Sequence, residues 1–489
     1  MIMLLNLIVF FIYIVLGTII AIISRKWGIK TSYDYYVAGY RLGGFLSAMT
    51  YAATTYSAFM MIGLVGFTYA TGTGALGFEL LYLITTLTLL ALFSKKVWSL
   101  ARSRGWISPA EMLSDLYRSR ILGLIVAIIY LVALIPYISA QLIGIGRLFE
   151  GVGGYEYYVY GVFLGAVVIF IWTYIAGIWS VATTDAYQGL WMISTAIIYL
   201  LWLFLSLYPS KGVNVVEAFT KLGKEGLLGI SQFWSIQVFL AFTIPWIFFA
   251  VTNPQVVQRL YMPKDVKSLR FMITLFAIFG LLYTLIVTLV GLGVRGLTSL
   301  GVFPLIKVRD LVTPTLLKIA HPLLSAVVFT SITAAAVSTA DSIILTLASV
   351  SSRDLYAKLS NKPTEKRMLL IGYSTIITLV LIAIAIALLK PGFVVEMSVL
   401  SSVILLPLAP ITLASWILPE KAAEKESLVG ALLGLILGAF ISMYLAIIYG
   451  PKRAFIATWL GVPISCWILL ASTILTVTGY LISIKKGTR

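Results

Sequence analysis

Thr330-Ser-Ile-Thr-Ala-Ala-Ala-Val-Ser-Thr-Ala-Asp-Ser342 decides how the rest of the chain is read. The segment sits inside a run, 322–350, that is otherwise apolar enough to lie in lipid. Ser338, Thr339, Asp341 and Ser342 fall together near its middle, and hydroxyls continue to Ser349, Ser351 and Ser352. Small and hydroxylated residues are common wherever membrane helices pack closely, so hydroxyls alone fit a packing seam. Asp341 is harder to account for in that way, because an ionisable group at membrane depth is costly and faces a cavity or a partner. Hydroxyl oxygens combined with backbone carbonyls of an unwound helix make a site for a hard cation. Ser338 and Thr339 are therefore candidate cation ligands. For Asp341 the cation-relay and packing readings both stand.

Composition supports a membrane setting for this segment. Hydrophobic residues make up 61% of the 489 and charged residues only 11%, with a mean hydropathy of +1.04. A soluble domain carries about 25% charged residues, and at about 20 apolar residues per span the length holds roughly a dozen helices. The net charge of +17 is scattered through short loops, which fits the positive-inside rule and not a nucleic-acid surface. A single cysteine, Cys466, excludes an intramolecular disulfide framework, and a single histidine, His321, weighs against a histidine metal centre. The run Ile2 to Ile23 has no basic segment before it and is too long for a signal peptide, so it reads as a retained span. There is no Walker A loop, no His-Glu-x-x-His and no Gly-x-Ser-x-Gly. The inventory favours moving a solute over transforming one, with no enzyme activity and no organic cofactor.

Charged and Gly/Pro-rich punctuation divides the chain into thirteen predicted spans. They are α1 (3–24), α2 (42–70), α3 (74–95), α4 (121–148), α5 (156–178), α6 (185–208), α7 (232–255), α8 (270–294), α9 (322–350), α10 (368–389), α11 (394–418), α12 (427–449) and α13 (455–484). Residues 105–118, with Pro109 near the start, read as a surface helix. Loop charge tests the count. With the N-terminus outside and the C-terminus in the cytoplasm, 24 of the 35 Lys and Arg fall inside, from Arg25, Lys26, Lys30 and Arg41 through Arg259, Lys264 and Arg353 to Lys485, Lys486 and Arg489. An even number of spans would spoil that alternation. The expected location is the plasma membrane, as one multi-pass transmembrane domain for which a monomer would suffice.

Within that domain α1 is peripheral, 42–208 and 232–418 form two runs of five helices, and 427–484 adds two peripheral helices. A five-helix unit repeated in tandem must appear inverted, a plan common among secondary transporters. The first helix of each run is unusual: α2 carries Thr50, Thr54, Thr55 and Ser57, and α7 carries Pro245, Asn253 and Pro254. Interrupted helices at matching positions point to a binding site, although Gly, Pro and Thr are frequent in membrane helices anyway. Asp185 falls at the start of α6, where a cap or dipole partner and a cation relay are both consistent. Glu79, Arg147 and Glu150, near helix ends, fit interfacial anchors. Tyr137, Gln141 and Trp246 put polar and aromatic groups at membrane depth, as a small-molecule pocket requires. Most other aromatics belong to interfacial belts or packing.

Five segments, in order, resemble the sodium/solute symporter family, whose members carry proline, pantothenate, monocarboxylates and sugars. They are Tyr33-Asp-Tyr-Tyr-Val-Ala-Gly-Tyr-Arg-Leu-Gly-Gly44, Met61-Ile-Gly-Leu-Val-Gly-Phe-Thr-Tyr-Ala-Thr-Gly72, and Trp172-Thr-Tyr-Ile-Ala-Gly-Ile-Trp-Ser-Val-Ala-Thr-Thr-Asp-Ala-Tyr-Gln188. Gln258-Arg-Leu-Tyr and the Ala-Val-Ser-Thr-Ala-Asp-Ser run that ends at Arg353-Asp-Leu-Tyr356 complete the set. The resemblance spans about 33–420 and implies an all-α, leucine-transporter-type fold of thirteen helices with two inverted five-helix repeats. It implies a sodium site between α2 and α9, with backbone oxygens of Ala53, Tyr56 and Ala335 and hydroxyls of Ser338 and Thr339 as ligands. Asp185 matches the family's intracellular aspartate, and Tyr137 and Trp246 match pocket aromatics of the proline branch.

Two departures bear on the solute. Thr55 stands where the proline branch has an aspartate, and Phe59-Met60 replaces the Glu-Gln pair of sugar carriers, which argues against a sugar. Met49-Thr-Tyr-Ala-Ala-Thr-Thr-Tyr-Ser-Ala58 is closer to the pantothenate-like branch. The expected function is sodium-coupled import of an amino or carboxylic acid by alternating access. Thr55, Ser57, Tyr137, Gln141 and Trp246 would contact the solute. Proton coupling through Asp341, or a solute sensor or channel on the same scaffold, are the alternatives.

Overall fold

The computed structural model describes residues 2–28, 32–175, 177–451 and 453–487, with side chains for all of these except 25–28, 32–33 and 487. Eleven helices are individually long and apolar enough to cross a membrane, and two bent pairs complete thirteen spans among the described residues. They are α1 (Ile2–Gly28), α2 (Gly44–Thr55 with Phe59–Thr71), α3 (Gly74–Arg104), α4 (Arg120–Gly153), α5 (Tyr157–Ile175), α6 (Ile178–Ser210) and α7 (Ile236–Arg259). The others are α8 (Val266–Ser299), α9 (Pro322–Leu359), α10 (Glu365–Leu389), α11 (Val394–Leu405 with Leu408–Ile417), α12 (Lys425–Tyr449) and α13 (Ile464–Gly487). Large apolar side chains such as Phe11, Leu92 and Ile447 point outward, as they must when the surrounding solvent is hydrocarbon.

Burial separates centre from rim. In its most apolar stretch α9 is 83% buried, against 22% for α1. Small residues explain the difference: Ala334, Ala335, Ala336, Ser338 and Ala340 let α9 pack against α1, α2, α4, α5, α6 and α10. α12 and α13 pair at the edge by a similar device. A Cβ on Gly430 would meet the Leu475 carbonyl at 2.4 Å, so only glycine permits that approach.

Three spans are interrupted, and each break has a local cause. In α2 the helix ends at Thr55 and resumes as a π-helical turn at Phe59, with a 47° bend. Thr55 bonds back to the Tyr51 carbonyl (2.7 Å) and Ser57 Oγ accepts from the Phe59 N–H (3.1 Å), each competing with the helical ladder. α7 breaks at Phe248 and again at Asn253, which is extended because Pro254 follows it. α11, predicted continuous, bends by 54° at Pro407, and Ser442 of α12 donates to the nearby Val403 carbonyl (3.2 Å).

Four sequence expectations need correction. α6 starts at Ile178 with Gly177 as its cap, so Asp185 lies two turns inside and does not cap it. α13 starts at Ile464, because residues 458–463 form a hairpin of β1 (Thr458–Trp459) and β2 (Val462–Pro463). Leu460 and Gly461 both have positive φ there, as a tight hairpin turn demands. The helix Pro109–Leu116 exists, with Ser108 Oγ accepting the Glu111 N–H as its N-cap and Glu111 accepting the Ile107 N–H, but it is largely buried beneath the bundle and not a surface element. Arg259, counted as a loop charge, is buried within the bundle. Lys30 and Arg489 lie outside the described residues, as do the side chains of Arg25 and Lys26.

Candidate ion and solute site

The break in α2 leaves the carbonyls of its last turn without helical N–H partners. α9 supplies hydroxyls to them. Ser338 donates to the Ala53 carbonyl at 3.0 Å and lies 3.1 Å from the Ala335 carbonyl of its own helix. Thr339 donates to Ala53 at 3.1 Å and approaches the Thr54 carbonyl at 3.4 Å. Tyr56 follows in extended backbone just past the last helical turn, with its ring stacked between Phe276 and Phe279 of α8. Four of the five expected cation ligands are therefore in mutual contact, and Tyr56 stands at the break beside them. All five are neutral oxygens, a set suited to a small monovalent ion because it avoids burying formal charge beside it.

The other side of the break holds the expected solute contacts. Gln141 of α4 accepts the Ala58 N–H at 3.2 Å, so its amide oxygen occupies the first free donor of the second half-helix. Tyr137, one turn away, is fully buried and packs edge-on to Phe249. Trp246 stacks on Phe59 at a centroid distance of 4.9 Å, which brings α7 against α2. Thr55 is turned into its own helix and Ser57 caps Phe59, so both are held by backbone. Glu79, expected as an interfacial anchor, is instead buried and accepts a hydrogen bond from Trp246 Nε1 at 3.1 Å. Only its offset near the start of α3 suggested an anchor, and the packing of α3 against α7 overrides that.

The loop-rich end that carries Leu42, Pro263 and Trp106 is closed by a polar chain. Thr54 exchanges a hydrogen bond with Ser342 at 2.9 Å, and Arg259 donates to the same Ser342 oxygen at 2.7 Å. Asp185 accepts from Thr50 at 2.6 Å, one turn below Thr54 on α2. Asp341 points the other way and accepts from Thr173 of α5 at 2.9 Å. The two carboxylates thus flank the Ser338–Thr339 cluster, each bonded to a threonine and not to the cluster. Gln258 ties Thr346 to the backbone of Ile107, so the Gln-Arg-Leu-Tyr motif fastens α7 to α9.

The opposite end is sealed by the segment 309–317. Arg309 pairs with Glu396 of α11 and lies over the rings of Phe67 and Phe393 at 4.6 and 4.5 Å. Asp310 accepts the Val394 N–H at 3.0 Å, and Thr313 donates to the Met61 carbonyl at 2.5 Å. Burial pushes the Asp310 carboxyl up to about 6, and the Arg309 guanidinium opposes that shift. Gly66 makes the closure possible, since a Cβ there would sit 2.2 Å from the Arg309 carbonyl. Arg147 and Glu150, also expected as anchors, form an ion pair at 2.8 Å that Lys390 joins at 3.5 Å. Arg259 was marked in one dimension by its place in the Gln258-Arg-Leu-Tyr segment, whereas the 309–317 segment carried no signal beyond lying between spans.

The sequence pattern of the Sodium:solute symporter family matches residues 35–438. The chain is 28% identical over 389 residues to the Sodium/pantothenate symporter of Haemophilus influenzae, covering 78% of each. It is 26% identical to the osmoregulated proline transporter OpuE of Bacillus subtilis, covering 73% of this chain and 72% of that one. A Sodium/proline symporter of Staphylococcus aureus is 25% identical, with 77% and 74% covered. Among solved structures, a substrate-bound, outward-open Na+-coupled sialic acid symporter superposes with a TM-score of 0.77 at 16% identity, over 98% of this chain and 97% of that one. Mhp1, a nucleobase-cation-symport-1 family transporter, gives 0.58 at 11% identity, over 92% and 95%. The fold is the leucine-transporter type that the sequence led us to expect.

Proposed function

Because this chain belongs to the sodium:solute symporter family and is therefore a membrane carrier coupled to sodium, we propose where it takes the ion and what kind of solute accompanies it. The ion site is the α2–α9 contact, with the Ala53, Tyr56 and Ala335 carbonyls and the Ser338 and Thr339 hydroxyls as ligands. One observation carries this: two hydroxyls from α9 converge on a carbonyl that the break in α2 has released. On sodium binding those hydroxyls turn their lone pairs to the ion. Asp185 and Asp341 sit on either side and would relay the ion on release. Arg259, held by Ser342 and the Gln255 carbonyl, repels a cation and must shift before one can leave by that end.

The solute is a small amino or carboxylic acid bound at the break, as the pantothenate and proline carriers among the relatives suggest. Its carboxylate replaces the Gln141 oxygen at the Ala58 N–H, where the half-helix presents its positive end. Thr55, Ser57, Tyr137 and Trp246 line the same space. The breaks in α2 and α7 fall at corresponding places in 42–208 and 232–418, which supports reading those segments as inverted repeats. A single chain carries every group named.

Two measurements test the reading. Proteoliposomes with an imposed sodium gradient should accumulate L-proline or pantothenate, and Ser338→Ala with Thr339→Ala should abolish that; uptake indifferent to sodium and to the double substitution would refute it. The proposed orientation puts the N-terminus outside the plasma membrane and the lone Cys466, near the start of α13, on the outer side. A membrane-impermeant maleimide should then label intact cells, and labelling only after permeabilisation would reverse the orientation.

A further inference from the structure

Glu79 is a buried carboxylate that the ion site does not use. It lies on α3, is 1% exposed, and its hydrogen bond among the described residues comes from Trp246 Nε1 at 3.1 Å. None of the ion pairs among the described residues includes it. Its partner Trp246 lies among aromatic rings. Trp246 is 4.9 Å from Phe59, 6.0 Å from Phe78, 5.7 Å from Tyr82 and 5.0 Å from Phe249, centroid to centroid. A carboxylate held by one hydrogen bond inside a bilayer costs more than an apolar residue of the same volume. As a strut between α3 and α7 it would be a poor choice.

The surroundings indicate what would offset that cost. One negative charge among ring faces is a poor shell for sodium, which needs several oxygens around it. It is a good one for an organic ammonium, which has apolar flanks for the rings and a positive charge for the carboxylate. The box also adjoins the proposed carboxylate position, because Phe59 both stacks on Trp246 and is the residue after Ala58, whose N–H faces Gln141. A zwitterion of amino-acid size would place its carboxylate at Ala58 and its ammonium toward Glu79.

We propose that Glu79, boxed by Phe59, Phe78, Tyr82 and Trp246, binds the ammonium group of the transported solute, so that the carrier selects an amino acid or betaine over a simple carboxylic acid. The inference rests on the reading that the solute binds at the break in α2, and narrows it. The experiment is calorimetric titration of the full chain in nanodiscs, in sodium chloride, with L-proline, glycine betaine and cyclopentanecarboxylate. The last is L-proline with its nitrogen replaced by carbon. At least one ammonium-bearing probe should bind about tenfold or more tightly than cyclopentanecarboxylate, the loss expected when a charged hydrogen bond is removed. Glu79→Gln should erase that preference while leaving carboxylate and sodium binding unchanged. Trp246→Phe, which keeps the charge and drops its hydrogen bond, should weaken the preference in part. Binding of both L-proline and glycine betaine no tighter than cyclopentanecarboxylate in the unsubstituted protein would overturn the inference alone, as would a preference that survives Glu79→Gln. Failure of all three probes to bind, with or without sodium, would overturn the inference together with the reading beneath it.

Discussion

The two flanks of the broken helix α2 are built from opposite materials. Toward α9 the five proposed ligands are neutral oxygens, packed among alanines and joined by contacts such as Ser338 and Thr339 to Ala53. Toward α3 and α7 the walls are largely aromatic, and the carboxyl group among them is that of Glu79, held by Trp246. The first flank suits a small dehydrated ion, which needs many weak oxygen dipoles at fixed distance. The second suits a larger organic group, which needs contact area and one charge. A break in one helix serves both, because it releases carbonyls on one side and N–H groups on the other. Coupling between ion and solute then needs no long pathway: both act on residues 53–59.

That contrast can be broken most sharply on the oxygen side. Replacing both Ser338 and Thr339 with Ala removes two charge-assisted contacts, each worth about 1.5–3 kcal/mol. Sodium-driven uptake in proteoliposomes should fall about 100-fold or more. Solute binding measured at saturating sodium should suffer far less, and an equal loss in both would erase the division between flanks.

The aromatic side should answer to Trp246→Phe. The ring stack on Phe59 survives while the bond to Glu79 goes, so solute affinity should drop about threefold with sodium affinity unchanged. A shift in sodium affinity as large as that in solute affinity would place Glu79 in the ion site after all.

The closure above both flanks is the next lever. Gly66→Ala would drive a Cβ to within 2.2 Å of the Arg309 carbonyl, and overpacking of this kind costs about 1–3 kcal/mol. Spin labels placed on the 309–317 segment and on α11 should report a larger open population, with both binding flanks intact in sequence.

The smallest expected effect is one of pH. The Asp310 carboxyl is raised by burial from 3.8 to about 6, so between those values the closed form holds a proton that an opened form lacks. Closure should strengthen as pH falls through about 6 and gain nothing more below about 4. Asp310→Asn should flatten that dependence in the same spin-label measurement, and an unchanged profile would exclude Asp310 as its source.

How legible these features were in the sequence follows from how local their causes are. The break in α2 was foreshadowed by its run of Thr and Ser, which compete for backbone within one turn, and that in α7 by Pro245 and Pro254. Ser338 and Thr339 announced themselves because hydroxyls are conspicuous in an apolar run. Glu79 was misplaced as an anchor because its position along α3 says nothing of how α3 packs against Trp246. Asp185 was read at a helix start because the apolar pattern of α6 begins later than its hydrogen bonds do. The bend at Pro407 was missed although proline is visible, since proline in a membrane helix bends it only where neighbours such as Ser442 take up the freed carbonyl.

The sequence by itself determined thirteen apolar spans, because apolar length is a property of each segment alone. It also determined the chemistry on offer at each depth: hydroxyls on α9, carboxylates on α3, α6 and α9, aromatics on α2 and α7. Only the tertiary structure decided which of these meet. Ala53 and Ser338 are 285 residues apart, and Glu79 and Trp246 are 167 apart. In a bilayer every helix is apolar outside, so hydrophobicity cannot choose its neighbours. Close packing of small side chains and pairing of buried polar atoms make that choice, and both depend on the shapes of two helices at once.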